Sequence, residues 1–188
     1  MNSPDVRTCS LRSVVWLGVF SGCLLAFGSA AADVPSGPKE SQKAPALKVF
    51  AVSGDPKDKE VDFVALRQEK PTVFAFLAAK DFDRPMFRYL KKLEEELGQD
   101  GLLVAIWLTD DADQAKEYLG KIAQYFNTSA LTVYGKASGP DEWGINSDAR
   151  LTAVVVHQGR VVKSFGYQSL NETDAPAVAE TLKKAVQK

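Results

Sequence analysis

The chain has 188 residues, of which 45% are hydrophobic and 25% charged, with a net charge of -1 and a pI near 5.9. That is ordinary for one globular domain with room for a sizeable core. No basic stripe exists to neutralise phosphates, which excludes nucleic acid as a partner.

Residues 1–32 read as a secretory signal peptide. Arg7 and Arg12 form a positive n-region, Val14 to Phe27 an apolar h-region, and Gly28-Ser29-Ala30-Ala31-Ala32 a small-residue cleavage site. The apolar run is about 14 residues, short of the roughly 20 that a spanning helix needs. No stable membrane span is expected after cleavage, and the product is expected in the periplasm or secreted. Lipidation at Cys23 is the rival, weakened by Phe20 where a lipobox wants Leu or Val. Removing residues 1–32 takes the charge from -1 to -2, because they carry Arg7 and Arg12 against Asp5. It also removes both cysteines, Cys9 and Cys23. No disulfide, thiolate nucleophile or Cys-ligated metal is then available.

Residues 33–46 carry Pro35, Ser36, Gly37, Pro38, Ser41 and Pro45 among charges, and are expected to be a disordered linker. The domain is expected over 47–188. Leu47–Val52 is a strand candidate, followed by a turn at Gly54-Asp55-Pro56 and a short helix or extended piece over Val61–Arg67. Val73–Leu77 contains no polar residue, as a strand buried on both faces would. A helix follows from Pro85 to Leu97. Pro85 suits its first turn, Met86, Leu90, Leu93 and Leu97 share one face, and Gly98 closes it. Lys91/Glu95 and Lys92/Glu96 are expected as ion pairs on its solvated face.

Leu102–Leu108 is a second buried-strand run, and a helix over Ala112–Phe126 is expected with Thr109 or Asp110 as its cap. Leu131–Tyr134 is a brief strand, with a single turn at Pro140–Trp143 in the loop beyond it. Thr152–His157 and Val161–Tyr167 form a hairpin through Gln158-Gly159. Thr173-Asp174 caps a last helix that ends near Val186. Strands separated by helices imply parallel pairing, and the hairpin adds an antiparallel edge. The fold class is α/β, a mixed central sheet with helices on both faces.

Strand, Phe82-Asp83-Arg84-Pro85-Met86, then helix resembles the Trp-Cys-x-Pro-Cys site of the thioredoxin-like superfamily, in its redoxin group of exported thiol reductases and peroxiredoxin-like proteins. Pro71–Ala79 resembles the strand entering that site. Leu102–Asp113 resembles the next strand and cap, and Leu151–Val162 the closing hairpin. The resemblance covers roughly 47–188 and implies a three-layer sandwich. Within it, Asp83 and Met86 stand where the two sulfurs would be, and Leu151 stands where the family has its cis-proline. Neither side chain supports thiol exchange. A cis bond before Leu151 would cost about 3 kcal/mol, so a trans bond is expected.

Several function classes follow. The first is a redox-inactive domain, not an enzyme and without cofactor or metal. It would bind an unidentified protein or peptide, or serve a structural role in the envelope, through Phe82, Asp83, Arg84, Pro85, Met86, Arg150, Leu151 and Thr152. A second is a non-thiol enzyme or cation-binding protein using Asp81, Asp83, Asp110 and Asp111. A third is a competitor for the partners of an active homologue. Trp107 is expected in the core, Phe82 and Trp143 in an exposed apolar patch, and His157 at a surface or edge.

Overall fold

The computed structural model describes residues 34–187. The expected signal peptide, its cleavage site and both cysteines lie outside the described residues.

Seven strands form one mixed sheet: β1 (Lys48–Ala51), β2 (Lys59–Asp62), β3 (Thr72–Ala78), β4 (Leu102–Leu108), β5 (Ala130–Tyr134), β6 (Leu151–His157) and β7 (Arg160–Tyr167). Their spatial order is β2-β1-β5-β4-β3-β6-β7. β3 pairs with β4 and β4 with β5 in parallel, and every other pairing is antiparallel. Among the described residues the α-helices are α1 (Phe63–Arg67), α2 (Arg84–Leu97), α3 (Ala112–Ile122) and α4 (Ala175–Val186). The undecided piece over Val61–Arg67 resolves into the end of β2 and all of α1.

Alternation along β3 builds two cores. Val73, Ala75 and Leu77 face α2, α3 and α4, whereas Phe74 and Phe76 face α1 and the loops. Met86, Leu90, Leu93 and Leu97 are buried together as their spacing implies. Trp107 lies in the first core. Gln158 and Gly159 take φ of 52° and 68° at the tip of the β6–β7 hairpin, the left-handed pair that a two-residue turn requires.

Trp143 is not in an exposed patch. Its ring is fully buried, 5.3 Å from Phe74 and 4.8 Å from Phe76, and its Nε1–H donates to the Ala46 carbonyl. His157 is half-buried at the end of β6. α3 gives way to a 3-10 turn at Ala123–Tyr125, so the expected long helix is shorter. Its cap is Asp111, which accepts from Gln114 N–H. Asp174 stands at the N-cap of α4 but makes no side-chain cap bond there, and Asn171 caps the 3-10 turn ahead of it. Lys92 pairs with Glu96 at 3.0 Å, but Lys91 turns to the buried Glu94 at 2.6 Å and leaves Glu95.

The segment before Leu47 departs most from expectation. It is no disordered linker but a strap across β6 and β7. Val34 N–H donates to the Gly166 carbonyl, Ser41 N–H to Val161, and Ala44 N–H to Gly159. Ser36 Oγ lies buried 2.6 Å from Thr152 Oγ1 and accepts from Asn146 N–H. Partners so distant in sequence satisfy a backbone whose composition alone reads as a tether. Gly166 makes the close approach possible, since a Cβ there would strike the Val34 carbonyl and come within 2.8 Å of Ser36 Cβ. Gly166→Ala is expected to cost about 1–3 kcal/mol and to speed proteolysis within the strap. An unchanged urea midpoint and cleavage rate would show that the strap does not depend on this contact.

Candidate functional site

β3 and β4 end side by side, Ala78 opposite Leu108, so the loops after them emerge on one edge of the sheet. In open α/β sheets that edge is where ligands bind. β6 runs antiparallel to β3 with Leu151 opposite Leu77, which brings Arg150 to the same edge. After β3 the chain makes a 3-10 turn at Ala79–Asp81, passes through Phe82, and enters α2 with Asp83 as N-cap.

Asp83 Oδ1 accepts the Met86 N–H at 3.0 Å, meeting one of the unpaired donors of the helix end. Its Oδ2 accepts from Arg150 Nη2 at 2.7 Å, and the same nitrogen reaches the Asp81 carbonyl at 2.6 Å. The Arg150 hydrogen bond, then the Met86 N–H, hold the Asp83 carboxyl below the usual carboxylate range. Arg150 is placed by its backbone, whose N–H donates to Tyr167 and whose carbonyl accepts from Ala78. The peptide bond ahead of Leu151 is trans, since among the described residues the one cis bond precedes Pro56.

The expected site residues therefore divide. Asp83 and Arg150 form an ion pair. Arg84 and Pro85 are exposed beside them. Met86, Leu151 and Thr152 are buried, Thr152 bonded to the strap. Phe82 is half-buried and turns toward α3, with ring centroids 5.0 Å from Trp107 and 5.9 Å from Tyr118. The four carboxylates do not converge. Asp110 accepts from Ala137 N–H, Asp111 caps α3 and Asp83 is taken by Arg150. Among the described residues no group of three or more His, Cys, Asp or Glu could hold a metal.

Two clefts open at this edge. One of about 480 Å³ lies between the β3–α2 loop and α3, with Phe82, Trp107 and Tyr118 in its walls. The other, of about 490 Å³, lies between Lys80, Leu108, Asp110 and the loop at Ile145–Ala149. The sequence reading passed over Tyr118. Its signal in the sequence was an aromatic off the Ala115/Leu119 stripe of this helix, and the structure leaves it 44% exposed.

No protein-family model matches the sequence, and no curated protein matches it. Solved structures do match in fold. A protein assigned as the thiol:disulfide interchange protein DsbE of Chlorobium tepidum has a TM-score of 0.60 at 15% identity, over 79% of this chain and 98% of that one. One assigned as a protein disulfide isomerase of Bacteroides thetaiotaomicron has a TM-score of 0.61 at 13% identity, over 81% and 94%. Reduced Prx3 of Vibrio vulnificus, solved with hydrogen peroxide, has a TM-score of 0.59 at 15% identity, over 80% and 99%. The fold is thioredoxin-like. These neighbours are enzymes, and they correct the expectation that the chain is not one: the fold's company points against a non-enzyme.

Proposed function

We propose that the chain is an exported thioredoxin-fold domain that holds a protein or peptide at the rim of this edge and exchanges no thiol with it. The observation that carries the reading is Asp83. It sits at the N-terminus of α2, where the resemblance puts an attacking sulfur, and its carboxylate is closed by Arg150. Met86, at the resolving position, is fully buried. No residue after Cys23 carries a thiol, so any catalysis by the domain proceeds without one. Export rests on the n-region, the apolar run and the small residues ahead of Asp33. No helix among the described residues is long and apolar enough to cross a membrane.

Burial of Met86, Leu151 and Thr152 narrows the rim to Phe82, Arg84 and Pro85, with the Asp83–Arg150 pair behind them. A half-buried aromatic beside two exposed residues, at the carboxyl ends of the parallel strands β3 and β4, suits a polypeptide ligand. Because enzymes stand among the structural neighbours, the second reading is catalysis at the same rim, which this domain would carry out without a thiol. Capture of partners from envelope and secreted fractions by the wild-type chain and by Phe82→Ala tests the first. The variant is expected to lose about 2 kcal/mol of binding. Equal capture by the two proteins would remove the rim as the binding surface.

A further inference from the structure

The aromatic cleft beside α3 says how such a partner would be gripped, and this step rests on the polypeptide reading above. Phe82 and Tyr118 form its walls and Trp107 its base. Trp107 is 2% exposed, and its indole N–H meets no acceptor among the described residues. Buried indole N–H groups ordinarily have a partner. Trp143 shows the ordinary case, giving its N–H to a main-chain carbonyl.

The charges around the cleft are already engaged. Lys121 is paired with Glu117 at 2.6 Å, and Asp111 is spent on capping α3. Thr109 and Gln114 line it beside the aromatic walls, and Trp107 Nε1 is its one buried side-chain donor without a partner among the described residues. A neutral donor calls for a neutral acceptor, and a peptide carbonyl is the commonest one a polypeptide carries. We infer that the cleft receives an aromatic side chain of the bound polypeptide, whose adjoining main-chain carbonyl accepts from Trp107 Nε1. That nitrogen is shielded from solvent, so binding requires a neighbouring group to give way, and the Phe82 ring, 5.0 Å from that of Trp107, is the candidate. Phe82 belongs to both the cleft and the rim, so one segment spans from Pro85 into the cleft.

NMR of the full chain tests this, with the Trp107 indole signal assigned through W107F. The probes are acetyl-Gly-Phe-Gly-amide and, as control, acetyl-Gly-Gly-Gly-amide. The phenylalanine peptide is expected to move the indole signal downfield and the control to leave it in place. Tyr118→Ala, at a half-exposed position on α3, is expected to weaken the effect about tenfold, near 1.4 kcal/mol. If the amides of Asp83 and Arg84 respond while the indole stays still, the cleft inference fails and the rim reading survives. If no signal moves, both fail. If the indole moves and those amides do not, no segment spans from Pro85 into the cleft, and the rim reading fails together with the binding mode inferred from it.

Discussion

Replacing Glu94 with Ala is expected to lower the unfolding free energy at neutral pH by about 3–5 kcal/mol, read from urea denaturation. Glu94 lies on α2 with its side chain 5% exposed. One oxygen, Oε1, accepts from the backbone N–H groups of Asn127, Thr128 and Ser129, each at 2.9 Å, and from the Ser129 hydroxyl at 2.8 Å. The other, Oε2, takes the Lys91 ammonium at 2.6 Å. Three successive N–H groups turned toward one point make an anion nest, and here the protein fills it with its own carboxylate. The contact ties α2 to the entry of β5. Removing the carboxylate leaves the Ser129 donors buried without a partner, and no apolar substitute can meet them. Glu94→Gln keeps an oxygen for the nest but turns an amide N–H₂ toward Lys91, so a smaller loss is expected.

The same site gives a pH dependence. Burial alone would raise the Glu94 pKa. The hydrogen bonds from Lys91, Thr128 and Ser129 outweigh it and lower the carboxyl from 4.5 to about 2. A carboxylate held below its unfolded pKa stabilises the fold above that unfolded value. The contribution is lost as pH falls through the folded one. It amounts to about 3 kcal/mol. The gap between wild type and Glu94→Ala is therefore expected to narrow by that much between about pH 5 and about pH 2. A variant within 1 kcal/mol of wild type at neutral pH, or a gap that ignores acid, would show that the nest does not depend on this charge.

Glu94 also marks the boundary of what could be read from residues in order. Features fixed by local period were legible. The four apolar positions of α2, the all-apolar runs of β3 and β4 and the Gln158-Gly159 turn each state their structure within a few residues. Features fixed by distant partners were not. Glu94 sits among charges at helical spacing and reads as surface, since nothing near it announces the loop 33 residues on. The strap reads as a tether because proline, serine and glycine are what tethers use. The hydrogen bonds that fix it to the sheet come from distant residues, such as Asn146 and Thr152 more than 100 positions away. Trp143 lies in a loop and so suggested exposure, but the space over Phe74 and Phe76 is made by chain folding and not by local sequence. The site divided the same way. Asp83 as a cap followed from its place before α2, whereas its pairing with Arg150 depends on β6 running antiparallel beside β3.

That pairing sets the expectation for a restored thiol site. D83C/M86C, made with C9S and C23S, is expected to gain thiol–disulfide exchange that the chain without it lacks. The new thiol at position 83 would take the place of a carboxylate that now lies 2.7 Å from Arg150 Nη2 and 3.0 Å from the Met86 N–H. Both donors, with the N-terminus of a 14-residue helix behind them, favour a thiolate. Its pKa is expected to fall by about 1–3 units from the free value near 8.5. Position 86 is buried behind it and one helical turn along, the arrangement a resolving thiol needs. Leu151 remains, with a trans bond and a fully buried side chain, so substrate docking stays poor and insulin reduction is expected to be slow though above the blank. The rate of alkylation against pH separates electrostatics from docking. Adding R150A should return the thiol pKa toward its free value and slow alkylation near neutrality. If the thiol in D83C/M86C titrates near the free value with Arg150 in place, the helix end has lost the field that the fold is known for, and Asp83 is a cap and nothing more. If it titrates low, the field outlasted the sulfur, and the Asp83–Arg150 pair occupies a site still tuned for an anion.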